Sequence, residues 1–64
     1  MKTYTNNGAT IEYPNGYKSV NDYYSVLKIN LKILLNSENL TGREELIEQY
    51  RADIATAEKA IGIN

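Results

Sequence analysis

The chain of 64 residues has seven basic and eight acidic side chains, a net charge of −1, and no cysteine, histidine or tryptophan. This length fits a single domain, 1–64. The composition excludes disulfides, zinc–thiolate sites and the usual histidine proton shuttle, and the near-zero net charge argues against non-specific binding to nucleic acid.

Residues 1–19 predict strands and turns. The pair Asn7-Gly8 readily adopts positive φ, as a tight hairpin requires, and lies between two segments rich in Thr, Tyr and Ile. Pro14-Asn15-Gly16 predicts a second turn, with the proline at its first corner and the glycine in the left-handed conformation. Tyr17-Lys18 would then continue as a further strand. We therefore expect a β-hairpin or a three-strand meander.

Residues 20–36 predict the first helix, and Ser19 with Asp22 matches a capping box at its start. At 100° per residue the segment has two apolar arcs, so a helix here would be buried on two sides. A strand competes, because residues 28–33 alternate polar and apolar side chains. The length, the leucine and lysine content and the cap favour the helix. The broad arc comprises Val20, Tyr23, Tyr24, Leu27, Leu31, Leu34 and Leu35, and the second arc comprises Val26, Ile29 and Ile33.

Residues 41–61 predict the second helix, after a polar turn at 36–39. Thr41 is the expected N-cap, with Glu44 at the third helical position, and Gly62 is the expected stop. Apolar residues recur at alternating spacings of 3 and 4, as in a coiled-coil seam: Ile47, Tyr50, Ile54, Ala57 and Ile61. The short turn makes the two helices antiparallel. The predicted fold is α+β, with the hairpin or meander packed on an antiparallel two-helix hairpin.

Five of the six tyrosines lie in the first 24 residues. Tyrosine suits protein interfaces, and on a sheet it could stack bases, but cross-strand packing explains these residues equally. The second arc of the first helix is an interface if the sheet and second helix leave it uncovered, and core if they do not. The predicted partner-binding residues are Tyr4, Tyr13, Tyr17, Val26, Ile29 and Ile33.

Signs of catalysis are absent from the sequence. Glu44 and Glu48 share a helix face at a spacing that could hold a cation, but arginines nearby and the favourable helix N-terminus explain them as a solvated face. No glycine-rich phosphate loop or nucleophile motif occurs. We therefore predict no catalytic, cofactor-binding or metal-binding residues, and no enzymatic activity.

The run from Ile11 to Leu31, a strand, turn, strand and Ser-Val-x-Asp helix start, resembles small phage head–tail joining proteins. The resemblance covers about a third of the chain and lacks the helix that precedes this run in that family, so it transfers no function. Small phage inhibitors such as anti-CRISPR proteins are similar in size and in lacking catalytic residues. The abundance of Asn, Ile, Tyr and Lys, which have AT-rich codons, is also typical of a phage or mobile element.

These features predict a non-enzymatic protein-binding module, a phage- or mobile-element-type regulator or inhibitor of a larger host protein. One alternative is a structural homo-oligomer, such as a homodimer or a virion component. Another is a weak nucleic-acid binder that uses the tyrosine-bearing sheet. Because neither an apolar targeting segment nor a membrane-spanning run occurs, we expect a cytoplasmic protein, in the host cytoplasm if phage-encoded.

Overall fold

The computed structural model describes residues 1–38 and 40–63, and Asn39 of the predicted 36–39 turn lies outside them. In chain order the elements are strand β1 (Lys2–Asn6), strand β2 (Ala9–Tyr13), helix α1 (Val20–Leu35) and helix α2 (Arg43–Ile61). This is a small α+β fold, in which a β-hairpin packs on a helical hairpin, as the sequence predicts.

The two strands form an antiparallel hairpin in which Tyr4 lies opposite Ile11. The connecting residues Asn7 and Gly8 have φ values of 52° and 75°. Both values are positive, as a two-residue type I′ turn requires, so the predicted Asn-Gly hairpin is confirmed. Along β2, residues 9, 11 and 13 are buried while residues 10 and 12 are exposed, so one face of the hairpin packs on the helices.

The predicted third strand is wrong. The Tyr17 amide donates to the Pro14 carbonyl at 3.3 Å, so Pro14 opens the turn instead of occupying its first corner. Gly16 is also not among the residues with positive φ. The Tyr17 carbonyl accepts a hydrogen bond from the Lys2 side-chain amine at 2.9 Å instead of joining a strand ladder. Only Lys18 separates this turn from the Ser19 helix cap, which leaves too little chain for another strand.

Helix α1 begins as predicted, with the Ser19 hydroxyl accepting a hydrogen bond from the Asp22 amide at 3.3 Å. Residues 28–33 are helical, so the helix prediction is confirmed over the competing strand. The buried residues of α1 follow helical spacing and face α2: Val20, Tyr24, Leu27 and Leu34. Burial of this stripe explains why the local alternation in 28–33 does not produce a strand.

Helix α2 begins differently from the prediction. It starts at Arg43, after Gly42 with a left-handed φ of 76°, and no side chain caps it, so the predicted Thr41 cap is wrong. The Arg43 side chain instead reaches back to α1. Its Nε donates to the Ser37 carbonyl at 2.8 Å and its Nη2 to the Leu35 carbonyl at 3.1 Å. Arg43 therefore supplies donors to carbonyls at the end of α1, which have no partner within that helix.

The β-hairpin turn caps the other end of α2. The Gly62 and Ile63 amides both donate to the Glu58 carbonyl at 2.9 Å, with Gly62 at a φ of 93°. The hairpin supplies donors to the next two carbonyls of α2. The side-chain amide of Asn6 donates to the Ala60 carbonyl at 2.9 Å, and the side-chain amide of Asn7 donates to the Lys59 carbonyl at 3.3 Å. These two bonds attach the hairpin to the C-terminal end of α2.

The core between the hairpin and the helices occupies one half of the helical pair. Its buried members are Ala9, Ile11, Tyr13, Val20, Tyr24, Ala57 and Ala60, and its half-buried members are Tyr4, Tyr17, Tyr23, Ile54 and Ile61. The helical members all fall within residues 20–24 and 54–61, which we call the covered half. Residues 26–35 of α1 and 43–50 of α2 form the open half. Neither helix, over the residues described, is long and apolar enough to cross a membrane.

Candidate interaction surface

The second arc of α1, which we call the outer face, consists of Val26, Ile29 and Ile33. Ile29 is 58% exposed and Ile33 is 60% exposed, while Val26 is half-buried. At 100° per residue, Ile29 points almost directly away from the Val20 and Leu27 side of the helix. The outer face therefore lies on the side of α1 that faces away from α2, and the hairpin does not cover it.

Exposed apolar side chains concentrate in the open half and in the connection between the helices. Seven large apolar residues are exposed in the described part of the chain, and five of them lie between residues 29 and 46. These five are Ile29, Ile33, Leu35, Leu40 and Leu46. Single exposed apolar residues are ordinary in soluble proteins, so their concentration in this stretch of the chain makes it a candidate interaction surface.

A groove opens between the two helices where the hairpin ends. It has a volume of about 220 Å³, and its walls are Tyr23 and Leu27 of α1 and Leu46, Gln49, Tyr50 and Asp53 of α2. The first of these residues, Tyr23, also contacts the hairpin side of the core: its ring stacks on Tyr13 at 5.9 Å between centroids and meets Tyr17 edge-on at 5.2 Å. The groove is therefore the open continuation of the surface on which the hairpin packs.

The groove has an acidic side. Burial raises the pKa of the Tyr23 hydroxyl, and the negative charge of Asp53 raises it further. The described residues give Asp53 no ion pair or side-chain hydrogen bond, whereas the Glu58 carboxylate accepts a hydrogen bond from the Tyr24 hydroxyl at 2.8 Å. That bond is the main reason why the pKa of Tyr24 is also raised. Asp53 thus contributes a negative charge to the groove lining, and no described residue pairs with it.

The three tyrosines predicted to bind a partner lie in or against the core. Tyr13 is only 8% exposed, and Tyr4 and Tyr17 are half-buried against the same cluster. The strand register places Tyr4 and Tyr13 on the inner face of the hairpin, because their partners Ile11 and Lys2 are directly opposite. These positions fit the packing interpretation, and stacking of bases on the strand tyrosines would require the hairpin to leave the helices.

The remaining acidic residues of α2 form a solvated face. Arg43 and Glu44 make an exposed ion pair at 3.8 Å, a type of contact that contributes little to stability. Among residues 1–38 and 40–63, no three potential ligands come close enough together to hold a metal ion.

The structure adds residues that the sequence predictions missed. Leu46, Gln49 and Asp53 line the groove, and Leu35 and Leu40 extend the exposed apolar region. A signal existed for two of them, since Leu46 lies outside the predicted seam and Leu40 is an apolar residue in a polar connection. Asp53 gave no signal, because a single aspartate on an amphipathic helix resembles any solvated charge.

Comparisons with known proteins yield no relative. The chain matches no protein-family model, and neither the curated proteins nor the solved structures include a match to it.

Proposed function

We propose that this protein is a non-enzymatic binding module that attaches to a larger protein through its open half. The observation that supports this proposal is the concentration of five exposed large apolar residues between positions 29 and 46. Burial of apolar surface is the main favourable term in protein association, and exposed apolar side chains that the fold does not use are available for it.

The size of the molecule suits this role. A specific interface buries about 800 Å² on each partner, which is roughly a sixth of the 4585 Å² that the described chain exposes. The outer face would supply the apolar centre of such an interface, and neighbouring charged residues of α1 such as Lys32 would supply its polar rim. One side of the helical pair is therefore large enough for a partner.

We further propose that the partner is a host protein and that binding regulates or inhibits it in the host cytoplasm. Support comes from the small size, the residue usage typical of AT-rich phage or mobile-element genes, and a composition without histidine or cysteine. A module without these side chains influences a larger protein most simply by occupying one of its surfaces. Nucleic-acid binding has less support, because the strand tyrosines face the helices.

A structural homo-oligomer, for example a homodimer or a virion component, is the second candidate. Ile29 and Ile33 are one turn apart on a single helix, so two copies could pair their outer faces around a two-fold axis. This candidate uses the same residues, but it predicts a mass that depends on protein concentration. Size-exclusion chromatography with light scattering at low and high concentration separates it from binding to another protein.

The test of the proposed function is capture of a partner by the tagged protein and by the double variant Ile29→Glu/Ile33→Glu. We expect the wild type to retain one specific protein from a host lysate and the double variant to lose it. Ala52→Glu/Ala55→Glu is the matched control, because both alanines are exposed on α2 and the net charge changes equally. Equal capture by all three proteins would contradict the proposal, as would loss of capture in the control.

A further inference from the structure

We propose that the interhelical groove is a binding site for one long basic side chain, arginine or lysine, that the partner inserts between Tyr23 and Tyr50 and against Asp53. This inference rests on the proposed function and specifies the chemistry of the partner: a segment in which a basic residue lies next to apolar ones. The juxtaposition that supports it is an aromatic residue from each helix, an apolar wall and one carboxylate around the same small space.

The dimensions of the groove favour a side chain as its occupant. Its volume of about 220 Å³ lies below the range of about 300–1,000 Å³ that is typical of small-molecule sites. Leu46 gives it exposed apolar surface against which the methylene stem of lysine or arginine can pack, with the charged head left near the opening. A long amphipathic side chain therefore fits the groove in size and in the distribution of polarity.

The charge of the groove selects a cation over an acidic or neutral group. Asp53 has no ion pair or side-chain hydrogen bond among the described residues, and the Gln49 amide beside it offers a further acceptor oxygen. Aromatic rings attract cations through their quadrupoles, and Tyr50 supplies such a ring on the α2 side of the groove. An acidic occupant would be repelled by Asp53, and a neutral one would desolvate that carboxylate without pairing it.

The protein already contains the same combination of groups around the neighbouring residue Tyr24. The Lys28 ammonium lies 5.2 Å from the centroid of the Tyr24 ring, and the hydroxyl of that ring donates to the Glu58 carboxylate. Here a cation, a tyrosine ring and a carboxylate are assembled from α1 and α2. In the groove, the ring and the carboxylate are present without the cation, and the partner would provide it.

The groove shares one residue with the set of exposed apolar side chains. Leu46 is a wall of the groove and is also one of the five exposed apolar residues between positions 29 and 46. A partner segment that placed its basic side chain in the groove would therefore bring its neighbouring residues against Leu46. The basic side chain would fix the register of the segment, and the apolar contacts would provide most of the buried area.

The experiment is an NMR titration of the isotope-labelled protein with four blocked amino acids at constant ionic strength. The probes are the N-acetyl, N′-methylamide derivatives of arginine, lysine, citrulline and leucine, of which citrulline is the neutral isostere of arginine. We expect the arginine and lysine probes to shift the backbone amides of the groove residues at millimolar concentration. The citrulline and leucine probes should need about fivefold higher concentration or fail to shift them.

Asp53→Asn tests the carboxylate, and we expect it to weaken binding of the arginine probe about fivefold. The matched control is Glu48→Gln, which removes the same charge from an exposed position of the same helix outside the groove. Both changes are nearly isosteric, and the spectra themselves report whether each variant is folded. Binding that is weakened equally by both substitutions would overturn the proposal.

Two other results would also overturn it. One is equal shifts with all four probes, which would make the occupant a general apolar group. The other is movement of the same amides when the protein alone is concentrated, which would make the occupant a second copy of this chain. The titration uses no partner, so its result does not depend on the capture experiment. A negative titration would reject the groove as a site for a basic side chain even if capture through Ile29 and Ile33 succeeds.

Discussion

The two halves of the helical pair differ in what covers them. In the covered half, the hairpin packs on residues 20–24 and 54–61, and Ala57 and Ala60 are fully buried there. In the open half, the two helices contact each other through residues such as Leu27, which is 3% exposed, but the hairpin does not cover their other sides. The same helices thus form a three-element core at one end and a two-element layer at the other.

Element length explains the difference. Strands of five residues span about 17 Å, whereas helices of 16 and 19 residues span about 24 and 28 Å. Asn6 and Asn7 also attach the hairpin to the C-terminal end of α2, so the hairpin covers the helices starting from that end. The fold therefore buries only part of the apolar surface of its helices, and most of the exposed remainder lies outside the covered half.

The largest expected effect comes from removing a core side chain in the covered half. Ile11→Ala should lower the free energy of unfolding by about 3 kcal/mol, because Ile11 is 6% exposed and its loss leaves a cavity. The total free energy of unfolding of a domain of this size is only about 5 kcal/mol. Ile33→Ala, the same substitution on the outer face, should change it by less than about 0.5 kcal/mol. Urea unfolding followed by circular dichroism measures both, and equal losses would remove the distinction between the halves.

In the open half, the strongest polar contribution should come from Arg43. Replacing it by methionine keeps much of the apolar stem but removes the donors to the Leu35 and Ser37 carbonyls. We expect a loss of about 1.5 kcal/mol in urea unfolding, since charged donors at a helix C-terminus also interact with its dipole. Arg51→Met is the control, because Arg51 is exposed on the same helix. A similar loss in the control would contradict the capping role.

The attachment of the hairpin can be tested through Asn6. Asn6→Ala removes the hydrogen bond to the Ala60 carbonyl and should cost about 1 kcal/mol in the same assay. Hydrogen exchange should then show faster exchange at the last amides of α2, while those of residues 27–35 stay unchanged. Asn15→Ala, in the exposed second turn, is the control. Unchanged exchange at the end of α2 would show that other contacts hold the hairpin in place.

A smaller effect should appear at high pH in the covered half. Because the hydrogen bond to Glu58 raises the pKa of Tyr24 in the folded state, the folded chain holds this proton more tightly than the unfolded chain. The resulting stability is fully present below the unfolded tyrosine pKa of about 10 and is lost as pH rises through the higher folded value. Tyr24→Phe should therefore show a smaller decline above pH ~10 in urea unfolding. Identical pH profiles for the two proteins would contradict this assignment.

The parts of the fold that were predictable are those set by local chemistry. Asn7-Gly8 selects a type I′ turn without help from the rest of the chain, and the Ser19 hydroxyl caps α1 through an amide three residues away. Leu27 and Leu34 lie two turns apart, so the apolar face of α1 is visible in the sequence. Each of these features depends on residues close together in the chain.

The incorrect predictions concern positions whose local structure is set by contacts with residues distant in the sequence. Thr41 is a reasonable N-cap by its local pattern, but Gly42 and the Arg43 contacts to the end of α1 set the start of α2 instead. Tyrosine favours strands, but the Tyr17 carbonyl accepts a hydrogen bond from the Lys2 side chain instead of joining a strand. The groove also escapes sequence reasoning, because Tyr23 and Asp53 meet only once the helices have paired.

Urea unfolding of Ile29→Glu/Ile33→Glu at two protein concentrations shows whether the outer face is needed for folding. Because both side chains are more than half exposed, we expect a free energy of unfolding within about 0.5 kcal/mol of the wild type at both concentrations. A loss of several kcal/mol at both concentrations would place these residues in the core. If the stability of the wild type rises with protein concentration and the variant is less stable, these residues lie in a homo-oligomer interface. Either result would contradict the expectation that the outer face is not needed for folding.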